Sequence, residues 1–169
     1  MSKLEAEFAD ARISRNRDRF LRELLRELSG VLEDAIGLEE AEGFISLVGS
    51  RIGDLMNEDY RRAAGAEHLD VEQVAAAMVD LKRRIEGGFT IESVDHGSIV
   101  MVNSACPFGG HVRGRRSLCM MTSNVFGRLA ARNLGYARVK LEETIADGAE
   151  GCRVVIYLTE GTDGREYFG

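Results

Sequence analysis

The stretch "NSACPFGGHVRGRRSLC", residues 103–119, gathers most of the side chains in this sequence that could do chemistry. It holds two of the three cysteines, Cys106 and Cys119, around the single proline, a Gly-Gly pair, His111 and the arginines Arg113, Arg115 and Arg116. The third cysteine, Cys152, follows a later glycine turn. Thiolates are both nucleophiles and soft metal ligands, and neighbouring cations or a helix N-terminus lower their pKa. Three thiolates with one nitrogen or oxygen ligand suit tetrahedral zinc; three thiolates with one unusual corner suit an iron–sulfur cluster. His111, Glu142 and Glu143 are the candidates for a fourth ligand. The spacing lacks close Cys-x-x-Cys pairs, so three small buried hydrophobes explain it equally well. A Cys106–His111 nucleophile pair is a further option, although no third orienting group accompanies it. Arg113, Arg115 and Arg116 could receive an anionic ligand, or be solvated and paired with Glu.

The elements that must position these residues are helical first. In "FLRELLRELSGVLEDAI" the residues Phe20, Leu21, Leu24, Leu25, Leu28, Val31 and Leu32 recur at three- and four-residue steps and draw one apolar stripe. A second helix is expected over 38–64, with Phe44, Ile45, Val48, Ile52, Leu55 and Met56 on its apolar face. Gly43, Gly49 and Gly53 within it point to close backbone approach by another helix. A third helix opens at Asp70, with Gln73 completing a capping box, and stops at Gly87-Gly88. The period then shortens. "FTIESVDHGSIVMVNSA" reads as a hairpin turning at His96-Gly97. A helix over 117–133 stops at Gly135. "ARVKLEETIA" and "CRVVIYLT" form a second strand pair.

The expected fold is a single α+β domain over 1–169: long N-terminal helices packed on a small antiparallel sheet of about four strands, with one helix inserted between the two hairpins. Residues 1–88 form a helical dimerisation half, 89–158 a cysteine-containing α/β half, and 159–169 a tail that is expected to fray, the alternative being that Tyr167 and Phe168 dock on the body or on a partner. On this reading Cys106 ends a strand, Cys119 begins a helix and Cys152 begins a strand, so three element ends can converge. Cys119, at a helix N-terminus and near the arginines, is expected to have a lowered pKa.

Composition narrows the function classes. With 169 residues, 44% hydrophobic and 30% charged, the chain is globular in type. A net charge of -6 argues against a general nucleic-acid binder. No apolar run approaches the roughly 20 residues that span a bilayer, and the N-terminal stretch lacks a signal-peptide core, so a cytoplasmic location is expected. The wide apolar stripe of the first helix predicts a homodimer formed through the N-terminal helices.

The run from "CPFG" through "SLCMMTSNVFGRLAARNLGYARVKLEETIADGAEGCRVVIYL" resembles the C-terminal part of the methanogen output domain family, which is related to small-molecule-binding domains of the 4-vinyl reductase type. Its cysteine pattern is also similar to that of SufR-like iron–sulfur regulators. "NSACPFG", "LC" and "DGAEGC" before an apolar strand carry the likeness, over about residues 89–158. "AEGFISLVGSRIGDLM" and "VDLKRRIEGGFTIESVD" resemble the output-domain family more loosely. The resemblance implies a signal-transduction module rather than an enzyme, with Cys106, Cys119 and Cys152 as ligands of zinc or an iron–sulfur cluster, the choice between them open. Ile145 stands where the vinyl-reductase-type and SufR-like proteins tend to carry a further cysteine. No helix-turn-helix, kinase or cyclase segment accompanies the domain, so output is expected through helix packing or a protein partner. Two alternatives remain: a vinyl-reductase-type sensor of small molecules with structural zinc or no metal, and a thiol-dependent enzyme using Cys106.

Overall fold

A computed structural model describes residues 14–169, together with residues 5, 9, 11 and 12; the other residues of the N-terminal segment lie outside the description. Helix α1 covers Arg17–Ile36, capped by the Asn16 side chain, which accepts from the Arg19 N–H at 2.8 Å. Helix α2 covers Leu38–Ala64 and ends at Gly65 in the left-handed conformation. Helix α3, Val71–Arg84, opens with the Asp70–Gln73 capping box that the sequence predicts. Strands β1 (Thr90–Val94) and β2 (Ser98–Asn103) form the expected hairpin, whose turn is held by Asp95 accepting from the N–H groups of Gly97 and Ser98. Helix α4 (Cys119–Leu134) leads into β3 (Tyr136–Glu143), β4 (Cys152–Tyr157) and β5 (Arg165–Phe168).

The fold is α+β, with the helices packed on one antiparallel sheet of order β1-β2-β4-β3-β5 and α4 inserted between β2 and β3. The sheet has five strands where the sequence predicts about four. The difference is the segment read as a frayed tail: Arg165–Phe168 pairs with Tyr136–Val139. Tyr167 is buried and exchanges a 2.8 Å hydrogen bond with Ser123 of α4. The anchor is non-local. A Cβ on Gly127 would lie 2.1 Å from the Tyr167 ring, so the absent side chain on α4 makes the seat for the tyrosine.

The main core lies between α3, α4 and the sheet, with Met78, Phe126, Leu129, Ile99, Met101, Val154 and Ile156 buried. Helix α2 packs on α4 through its small residues. A Cβ at Gly49 would meet Asn124 Cβ at 2.8 Å, and one at Gly53 would meet Arg128 Cβ at 3.0 Å. Gly43 has open space, so the expected close approach holds at two of the three glycines. Polar bonds finish this seam: Asp54 pairs with Arg128 and Arg132, both at 3.0 Å, and Asn133 donates to Asn57 at 2.6 Å. Facing small residues inward leaves bulky ones outward. Phe20, Leu24, Leu28 and Val31 of α1, and Phe44, Leu47, Val48 and Leu55 of α2, all remain exposed.

Candidate functional site

The cysteine loop, 104–118, is tied down at both ends and along its length. Asn103 stands at the root: its Oδ1 accepts the Cys152 N–H at 2.7 Å, while its Nδ2 donates to the carbonyls of Gly87 and Ala105. Gly151 permits this junction, because a Cβ there would lie 2.1 Å from the Asn103 carbonyl oxygen. Within the loop, Gly109 N–H bonds to the Cys106 carbonyl at 2.8 Å and Gly114 N–H to the Ala146 carbonyl at 2.9 Å. Helix α1 then clamps the outside. Arg26 donates to the carbonyls of His111 at 2.6 Å and Arg113 at 2.7 Å, and Glu33 accepts from the Ser117 hydroxyl at 2.6 Å.

Cys106 from the loop, Cys119 from the first turn of α4 and Cys152 from the start of β4 line one small cavity of about 30 Å³, room for about one water. Phe89, Val112, Leu118, Ile145 and Val154 supply its apolar wall. The Cys152 sulfur accepts from the Ile145 N–H at 3.5 Å. Thr144, buried beside it, caps the turn Ile145–Asp147 by accepting from the Asp147 N–H.

The three thiols share this wall, yet among the described residues no group of three or more His, Cys, Asp or Glu is placed to hold a metal ion. None of the three residues expected to supply a fourth ligand lines the cavity. His111 meets α1 through its carbonyl; Glu142 pairs with Arg153 and, at 3.7 Å, with Lys140; Glu143 is exposed at a register shift opposite Arg153. As arranged, the donor set among the described residues does not fit a metal centre.

Burial also corrects the expected electrostatics. Desolvation pushes the Cys119 thiol up to about 12, and Cys152 and Cys106 add to the shift. Burial raises Cys106 as well, against partial opposition from the Phe108 N–H, Lys82 and Arg22. The arginines expected to favour a thiolate work elsewhere. Arg113 is exposed, Arg115 pairs with Glu33 at 3.8 Å, and Arg116 lies 3.9 Å from Glu42 and 3.8 Å from Asp147. An apolar pocket outweighs the helix dipole, whose effect is a fraction of that of full desolvation. Cys106 and Cys119 are therefore expected to react with iodoacetamide at neutral pH at least tenfold more slowly than a free cysteine, read by mass spectrometry; labelling of either at the free-thiol rate would overturn this account.

Lys82 is the residue that the sequence reading missed. Its side chain is only 3% exposed; its Nζ donates to Thr122 Oγ1 at 2.8 Å and lies 5.3 Å from the Phe89 ring centre and 5.1 Å from that of Phe126. Burial lowers its pKa to about 8, while the three neighbouring cysteines act in the opposite direction. A signal existed in the sequence. Lys82 falls four residues after Met78 and eight after Val74, on the apolar face of α3. Beside it opens a groove of about 690 Å³ between α1, the end of α3, the cysteine loop and the start of α4. Lys82 and Thr122 both line it, and Thr122 also lines the small cavity.

The fold has solved counterparts. It is similar to the phenol-responsive sensory domain of the transcription activator PoxR, solved with phenol: TM-score 0.66, 18% identity, covering 87% of this chain and 77% of that one. It is also similar to a trafficking protein particle complex subunit 3 from Naegleria fowleri covalently bound to palmitic acid: TM-score 0.62, 13% identity, covering 84% of this chain and 97% of that one. At these identities the likeness is one of fold. No curated protein matches the sequence. Among the described residues no helix is long and apolar enough to cross a membrane. The methanogen output domain 1 family matches residues 24–157, which include α2, α3, α4, the first four strands and all three cysteines, and the chain belongs to that family.

Proposed function

We propose that this protein is a regulatory sensor domain that binds a small apolar molecule behind the cysteine loop and reports the event through α1. The observation that carries this reading is a shared part: the loop that closes the apolar cavity is also the loop that Arg26 and Glu33 bond to α1. A cavity of about 30 Å³ is too small for an aromatic ring, so binding requires the loop to move outward, and any such movement strains or breaks those bonds. The likeness of fold to a phenol-responsive sensory domain supports the same reading. A panel of phenol and alkylphenols is expected to raise the melting temperature and to change hydrogen exchange in α1. A ligand present at about a hundred times its Kd adds roughly 2.7 kcal/mol. Val112→Trp, which fills the cavity, should abolish the response, and a panel with no effect on either observable would refute the proposal.

Output through helix packing needs a second surface, and α1 and α2 provide one. A single soluble chain seldom exposes so many large apolar residues on adjacent helices. We propose that a second copy covers them in a twofold pair, and that the pair signals to a protein partner. Leu24→Glu combined with Leu28→Glu is expected to convert a dimer to a monomer in sedimentation velocity at micromolar concentration; an unchanged sedimentation coefficient would count against the pairing.

A second reading keeps Cys106, Cys119 and Cys152 as ligands of zinc or an iron–sulfur cluster, and the sharing of one cavity wall by all three favours it. It requires the sulfurs to close on a common centre and lose their protons. In the alkylation experiment above, run anaerobically after unfolding and refolding with zinc or with iron and sulfide, one bound centre per chain and full protection of all three thiols would support it. Metal-free protein in both cases would exclude it.

A further inference from the structure

A buried ammonium normally has a buried anion, and among the described residues Lys82 has none. Among the described residues no carboxylate forms an ion pair with it, and Thr122 Oγ1 is its one hydrogen-bond partner, although an ammonium can donate three times. The two aromatic rings offset part of the cost of burial. Cys106 and Cys119 do not supply the missing charge. Burial raises Cys106 and Cys119, and ionising either would add a second desolvated ion. Lys82 also sits at a junction: it lines the large groove, and its partner Thr122 lines both the groove and the small cavity.

The rest of the groove is amphipathic in a matching way. Leu21, Leu25, Ile85, Phe108 and Met121 make an apolar wall. The charged groups at its rim are already engaged: Arg22 with Asp18 at 3.0 Å and Glu86 at 3.5 Å, and Arg84 with Asp80 at 2.6 Å. The one cation in the groove without a described carboxylate partner is the most buried one.

We propose that this groove binds an organic carboxylate with an apolar body, its acid group received by Lys82 Nζ and Thr122 Oγ1 and its body lying against Leu25, Ile85, Phe108 and Met121. The inference goes beyond the sensor reading above: it concerns a second site, the groove, which Thr122 joins to the small cavity. A carboxylate supplies the acceptors that the ammonium lacks, and the low dielectric that makes the unpaired lysine costly strengthens the pair once formed. The bond is also selective. A neutral isostere gains the same apolar burial and leaves the lysine uncompensated.

The test is a pair of probes matched in shape and differing in charge, the anionic 4-butylbenzoate and the neutral 4-butylbenzyl alcohol, titrated calorimetrically into the whole wild-type chain and into Lys82→Gln. The benzoate is expected to bind wild type on the order of tenfold more tightly than the alcohol, and Lys82→Gln to erase that preference while leaving alcohol affinity within about twofold. Equal or tighter binding of the alcohol overturns the carboxylate proposal and leaves the sensor reading standing. Absence of binding by both probes also overturns the proposal, while the alkylphenol panel decides the broader reading separately. The wild-type comparison is sufficient by itself if Lys82→Gln fails to fold.

Discussion

Tyr167→Ala is expected to lower the free energy of unfolding by about 3–5 kcal/mol, the range for removing a large buried aromatic side chain. Tyr167 belongs to the main core and bonds to Ser123, and β5 carries it there by pairing with β3. The effect should be visible as a shift in urea midpoint without a change in slope. Gly127→Ala should also destabilise, because the new methyl would occupy the space of the Tyr167 ring. In the Tyr167→Ala background the same change should become neutral or favourable by up to about 1 kcal/mol, since alanine is the better helix former and the clash is gone. Additive losses in the double mutant would show that the tyrosine does not sit over Gly127. A frayed tail, by contrast, would give a loss near zero for Tyr167→Ala.

Lys82→Met is expected to act in the opposite direction and raise stability at pH 7 by roughly 2–3 kcal/mol. The folded state lowers the lysine pKa from 10.5 to about 8. Between those values the unfolded chain binds more protons than the folded chain, so stability rises with pH across that window. Below about pH 8 the full cost of charging a buried amine is present, on the order of 3 kcal/mol; above about 10.5 it is gone. Met keeps the apolar stem and removes the charge. Wild type should therefore gain stability between pH 8 and pH 10, as measured by urea denaturation, and the Met variant should lose that lysine-dependent rise. The groups facing Lys82, the thiols of Cys106, Cys119 and Cys152, are present in both proteins, so the difference between the two pH profiles isolates the lysine. A Met variant less stable than wild type at pH 7 would mean that a thiolate already compensates the ammonium. Stability gained together with loss of carboxylate preference would mark Lys82 as a residue retained for binding at the expense of stability.

Local chemistry was legible in the sequence wherever neighbours along the chain decide it. The Asp70–Gln73 box, the α2 bounds at Leu38 and Ala64, the stop at Gly135 and the Asp95–Ser98 turn all rest on hydrogen bonds or φ values within a few residues. Cys119 and Cys152 open α4 and β4 as expected, whereas Cys106 lies in the loop three residues beyond β2 and not at its end; the three line one cavity, but among the described residues they form no group placed to hold a metal ion. Their ionisation was not legible in the sequence. It depends on how much water the apolar wall from Val112, Leu118 and Ile145 excludes, and those residues meet only in three dimensions.

The same division explains the two largest departures. The amino-acid sequence by itself determined the α+β class, helices α1 to α4 and strands β1 to β4, because apolar periodicity and capping act over one or two turns. Tertiary structure alone decided that "REYF" is a strand, since its partner is β3 and its anchor is a missing side chain on α4. It alone also decided that Lys82 is enclosed without a described carboxylate partner and that Arg115 and Arg116 pair with carboxylates of α1 and α2. Desolvation and pairing depend on distances through space, and a linear pattern contains only distances along the chain.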